Sequence, residues 1–213
     1  MSHFVGLCFG ENWENDIERY CENNEVEPYI EYTKEEAIER VMKKHEEDYN
    51  NAVEILKRDS LIESTLKYYS DKVAKGPSIT REDAWKEVLD WGYELDKDEN
   101  VLSTYNPESK WDWYSIGGRW SGFLVLKERD SDGDIVETNT AYMYEIDWEY
   151  MKEHRWPPFC FIDTDGEWHE KGEMGWFGVS FNEKPETTWK QHYEDYLKEV
   201  DSECLVTVVD FHI

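Results

Sequence analysis

The sequence predicts an α+β fold. A mainly antiparallel sheet holds the first and last strands at its centre, a helical insertion spans about 33–92, and a C-terminal helix packs on the sheet. Three observations predict it. Ser2–Phe9 and Cys204–Ile213 are the two most apolar, β-favouring runs of the chain. Residues 33–92 carry apolar side chains at helical spacing behind three capping signals. The rest alternates short strand-like runs with Gly, Pro and Asp-Gly turn signals, then one amphipathic helix. At 213 residues this reads as a single domain carrying the insertion.

The elements follow in order. Ser2–Phe9 is a strand, closed by Gly10; Asn15–Tyr20 is a short helical turn; Pro28–Ile30 is extended. Thr33 and Glu36 form a capping box for a helix with Ile38, Val41, Met42, His45, Tyr49, Val53 and Leu56 on one side. Ser60 with Glu63 opens a second helix, stopped at Gly76-Pro77, and Thr80 with Asp83 opens a third, ending at Gly92. Val101–Tyr105 is a short strand. Trp111–Ile116 and Trp120–Lys127 read as a β-hairpin turning at Gly117-Gly118, with Trp111, Trp113 and Ser115 on one face and Asp112, Tyr114 and Ile116 on the other. Glu145–His154 is a short helix, and 159–162, 167–170 and 177–181 are strands. Thr187–Val200 is amphipathic, presenting Trp189, Tyr193, Tyr196, Leu197 and Val200.

Charge and cysteine usage exclude several classes. Fifty acidic and 23 basic side chains leave a net charge of −27. Residues 31–75 are nearly balanced, with eleven acids and nine bases, whereas residues 121–213 carry twenty-two acids and eight bases. Such a field repels nucleic-acid backbone and anionic membrane and attracts basic protein surfaces. Cys8, Cys21, Cys160 and Cys204 show no Cys-x-x-Cys spacing and read as small buried hydrophobes of a reducing cytoplasm, not as a zinc site. Asp130–Asp134 and Asp163–Gly166 fail the calcium-loop pattern and read as turns. No basic n-region opens the chain and no window approaches 18 apolar residues. No metal and no cofactor is expected.

Two groups of residues are candidates for chemistry. Lys110 and Arg119 are placed to hold a phosphate or carboxylate, with Trp111 or Trp113 stacking on a ring and Tyr114 beside them. The competing reading makes the tryptophans core and pairs the cations with Asp112 or Glu108. The second group is His3, Asp210 and His212, which central pairing of the terminal strands brings together; a histidine beside a carboxylate is a general-base arrangement, and equally a satisfied histidine at a sheet end. Ser2 is a weak candidate N-terminal nucleophile. Walker-type, Gly-x-Ser-x-Gly, His-Glu-x-x-His and Gly-x-Gly-x-x-Gly motifs are absent.

The segments Met1-Ser2-His3-Phe4, Asn106-Pro107 through Trp120, Lys171–Trp176 and Thr207–Ile213 together resemble a family of uncharacterised bacteriophage and prophage proteins. One departure is Phe211, where the family carries a small or polar residue. The resemblance implies a phage-type accessory protein acting in the host cytoplasm. Its expected partner is a host protein with a basic surface, an anti-CRISPR-like or other anti-defence target; direct nucleic-acid or membrane binding is not expected. The alternative is a pocket protein, enzyme or sequestering binder, for a nucleotide-like ligand held by Lys110, Trp111, Trp113, Tyr114 and Arg119, with His3 and His212 as further candidates.

Overall fold

The computed structural model describes residues 2–58 and 61–213, without the Trp176 side chain. The chain forms two compact units, Met1–Glu25 with Tyr105–Ile213, and Val26–Thr104. The elements in chain order are β1 (His3–Phe9), α1 (Trp13–Glu18), β2 (Tyr29–Tyr32), α2 (Lys34–Leu56), α3 (Glu63–Ala74), α4 (Arg81–Leu89) and β3 (Val101–Ser103). Then follow β4 (Trp113–Ile116), β5 (Leu124–Arg129), β6 (Ile135–Thr138), β7 (Thr140–Tyr142), α5 (Trp148–His154), β8 (Cys160–Ile162), β9 (Trp168–Glu170), β10 (Glu173–Met174), β11 (Ser180–Phe181), α6 (Glu186–Glu199) and β12 (Leu205–His212).

The main sheet has the order β4-β12-β1-β8-β9, with β7 also pairing β12, so the first and last strands are central. β1 and β12 run antiparallel from His3↔His212 to Phe9↔Val206. β1 and β8 are parallel, which makes the sheet mixed. Period-two alternation sorts the side chains. Val5, Leu7, Phe9, Val206 and Val208 face a core closed by Trp189 and Tyr193 of α6, both fully buried. Phe4, Cys8, Val209 and Phe211 face a second core with Trp13, Ile17, Trp111, Cys160 and Ile162. Burial on both faces explains the near-continuous apolar reading of both strands. Phe211 lies over Gly6, where an added Cβ would sit 2.5 Å from its ring, so the large ring needs a glycine opposite. Cys8 and Cys160 are fully buried, and burial pushes both thiols up.

The hairpin expected around Gly117-Gly118 does not form. β4 pairs with β12, from Trp113↔His212 to Ile116↔Val209. Gly118–Trp120 is a 3-10 turn, and β5 pairs with β6, a strand the sequence reading did not find. The two glycines do have positive φ, 71° at Gly117 and 48° at Gly118. They redirect the chain out of the sheet instead of folding it back. Most of 177–181 is likewise not strand: Trp176–Gly178 is a 3-10 turn and only Ser180–Phe181 pairs, with β10.

In Val26–Thr104, α2, α4 and the β2–β3 pair surround Ala37, Ile38, Val41, Ala84, Val88 and Val101, and α3 packs on α2 with none of its own residues buried. The Thr33–Glu36 capping box forms in full, and Thr80 accepts from the Asp83 N–H. The expected Ser60 cap lies outside the described residues; α3 starts at Glu63 behind Ile62. Among the described residues, no helix is long and apolar enough to cross a membrane, and no group of three or more His, Cys, Asp or Glu is placed to hold a metal ion.

Candidate functional site

The register puts one polar cluster at the end of the central strands. On β12 the buried series Val206, Val208 continues as Asp210 and His212 on the same face. Opposite them stand His3 and Val5 on β1, and Trp113 and Ser115 on β4. Asp210 is 2 % exposed, and a buried carboxylate must have its lone pairs answered. His3 Nδ1 lies 3.0 Å from Oδ1 and 3.2 Å from Oδ2. The Arg119 backbone N–H donates to Oδ2 at 2.9 Å. That second bond is why the chain needs a glycine at 118, while a Cβ on Gly117 would meet the Asn139 side chain. A Cβ on Gly118 would fall 2.4 Å from Asp210 Oδ2 and 2.5 Å from Ser115 Oγ. Only a bare backbone in the left-handed region brings the Arg119 amide to the carboxylate.

His212 forms the inner wall. Its ring packs against His3 with centroids 3.4 Å apart and stacks on Trp113 at 4.1 Å and 28°. It is 2 % exposed, and neither ring nitrogen has a hydrogen-bond partner among the described residues. Leaving such groups unsatisfied costs on the order of 1–3 kcal/mol. Burial, and then the neighbouring His3, holds the His212 imidazole below its ordinary value and so favours its neutral form. Trp113 is 46 % exposed and the Arg119 side chain is exposed. The guanidinium has no ion-pair partner among the described residues. An imidazole whose Nδ1 is held by a buried carboxylate has Nε2 left to accept a proton, and a neighbouring free guanidinium suits an anion.

Only part of the expected set meets here. His3, Trp113, Arg119 and His212 come together; Lys110, Trp111 and Tyr114 do not. Lys110 pairs with Glu170 at 2.7 Å, not with Asp112 or Glu108. Trp111 precedes the strand, bridges to Cys21, donates its indole N–H to the Ile17 carbonyl at 3.1 Å and is core. It therefore does not share the face of Trp113, contrary to the alternation read from sequence. Tyr114 faces Trp111 and Phe211 and bonds Glu14 at 2.9 Å; burial, then Glu14, pushes its hydroxyl up to about 12. Ser2 is buried, its hydroxyl bonding the Gly175 carbonyl and the Gly178 N–H, so it anchors the 176–178 turn.

A second polar chain was not read from the sequence. Asp163 Oδ2 lies 2.8 Å from His169 Nε2, and His169 Nδ1 lies 3.1 Å from His192 Nε2. The Asp163–Gly166 turn carried the usable signal. Closing β8 onto β9 sets His169 opposite Phe161, where the ring stacks at 4.5 Å. His192 is one helical turn from Trp189 and Tyr196 on α6.

Comparison with protein-family models, with curated proteins and with solved structures finds no match to this chain. The chain's own fold and site define an acidic α+β protein with two packed histidines at the end of its central strands, one of them held by a buried carboxylate.

Proposed function

We propose that this is a phage-type acidic accessory protein that binds a basic surface of a host protein and inhibits it, with a defence component as the target class. The surplus of carboxylates carries the reading. A net charge of −27 leaves at least that many acids without a basic partner one to one. Met1–Glu25 and Tyr105–Ile213 hold thirty acids and eleven bases, so most of the surplus belongs to the sheet unit. Self-repulsion of this size favours a cationic partner and fast, salt-sensitive association. Such a protein works in the host cytoplasm, apart from membrane and nucleic acid. The test is capture from host lysate at low and high salt, followed by direct binding measurements on whatever protein is identified. A basic partner released by salt is expected; recovery of nothing at low salt sinks the proposal.

The meeting of His3, Trp113, Arg119 and His212 around Asp210 favours a second reading, a small-ligand site on the sheet unit. Arg119→Ala separates the two. A partner bound through many acids tolerates the loss of one cation, whereas a ligand anchored on the guanidinium is lost.

A further inference from the structure

Val26–Thr104 contains an open cleft of about 820 Å³, lined from β2, the middle of α2 and the turn after α4. That volume lies in the roughly 300–1,000 Å³ range of small-molecule sites. Its lining is charge-balanced in a chain of net charge −27, with Arg40, Lys43 and Lys44 against Glu31, Glu47 and Asp48. Positions 40, 43, 44 and 47 share one helical face, and they are Arg40, Lys43, Lys44 and Glu47. The acids there are largely taken up: Glu47 by Lys43 at 3.5 Å, and Asp48 by Lys72 at 3.1 Å, with Glu31 the remaining carboxylate. Arg40 stands 5.0 Å over the Tyr32 ring, and neither Arg40 nor Lys44 has an ion-pair partner among the described residues.

Aromatic rings form the rest of the wall. α4 ends at Leu89, and Gly92 takes φ 78°. This left-handed turn sets Trp91 and Tyr93 edge to face, with centroids 6.1 Å apart at 84°. Trp91 packs partly into the helical core, and Tyr93 is 50 % exposed.

We propose that this cleft binds a mononucleotide, its base against Tyr93 and Trp91 and its phosphate on Arg40 and Lys44. Ring stacking and a short-range cation pair are the two contacts such a ligand needs. The surrounding acid field disfavours a polyanion, while a single phosphate is shielded from distant carboxylates beyond a Debye length of about 8 Å. The site is separate from the one around Asp210, and the proposal does not depend on the host-protein reading.

The experiment titrates the full chain with AMP, GMP, CMP and UMP, followed by calorimetry and Trp fluorescence, with inorganic phosphate and adenosine as control arms. Saturable binding of at least one nucleotide is expected, with phosphate and the nucleoside each at least about ten-fold weaker. The double variant Arg40→Ala, Lys44→Ala and the single variant Tyr93→Ala should each weaken it about ten-fold or more with unchanged melting temperature. No saturable binding of any of the four overturns the proposal. Phosphate binding as tightly as the nucleotide overturns the role of the rings, and unweakened binding in the cleft variants overturns the location.

Discussion

Gly118→Ala tests the geometry of the Asp210 cluster most directly. The new Cβ meets Asp210 Oδ2 at 2.4 Å and Ser115 Oγ at 2.5 Å, and the backbone sits at φ 48°. The left-handed conformation alone costs about 1–2 kcal/mol for a residue with a Cβ. Displacing packed atoms adds about 1–3 kcal/mol. Gly133→Ala is the control, because φ is 87° but nothing lies within 4 Å of its Cβ. Backbone strain is common to both variants, so the difference is the packing cost. For a chain of this size it corresponds to a melting temperature roughly 2–12 °C lower for Gly118→Ala. Thermal unfolding followed by near-UV circular dichroism, with the two variants side by side, measures it. The His3 imidazole resonance should shift in Gly118→Ala as Asp210 moves, and stay put in Gly133→Ala. Equal melting temperatures with an unmoved His3 would refute the claim that the glycine turn is fitted to the carboxylate.

Further outcomes follow from the same contacts. His212 has a folded value below its unfolded one, so the unfolded chain binds the proton more readily and stability falls as pH drops from about 6.5. Urea unfolding at pH 7.5 and 5.5 should give a shallower acid loss in His212→Phe than in the parent; matching losses would show that the ring does not carry this term. Trp111→Ala empties a buried, hydrogen-bonded site and should cost about 3–5 kcal/mol, while Trp113→Ala, at a half-exposed ring, should cost clearly less in the same urea assay. Arg119→Ala should leave stability within about 0.5 kcal/mol, since only its backbone amide is used in the fold.

The sheet centre was legible because both faces of β1 and β12 are buried, which leaves a dense apolar run that a one-sided strand does not have. The helices were legible through their caps: Thr33 and Thr80 mark their starts in local chemistry alone. Gly117-Gly118 misled for a definite reason. Positive φ is a local property, but whether the chain then folds back or leaves the sheet depends on which strand occupies the neighbouring position. Here β4 pairs with β12 and stays at the sheet edge, while the chain after the glycines turns away and β5 pairs with β6. Trp111 misled similarly, because alternation holds only inside a strand and β4 begins two residues later. His3, Asp210 and His212 were reachable once the terminal strands were paired; the Arg119 amide was not, since a backbone donor leaves no trace in residue type. The cleft beside α2 combines three segments, and no one of them signals a ligand.

The Asp210 carboxylate joins segments that are synthesised far apart in time. His3 belongs to the first strand of the chain, Arg119 to the middle, and Asp210 to β12, which follows every other described strand yet lies beside β1. A nascent chain therefore carries β1 for about 200 residues of synthesis before its central neighbour β12 is made. Until β12 emerges, β1 has only β8 as a sheet neighbour and His3 has no carboxylate, so a chain lacking β12 keeps an open apolar edge and loses the cluster outright instead of carrying a weakened one.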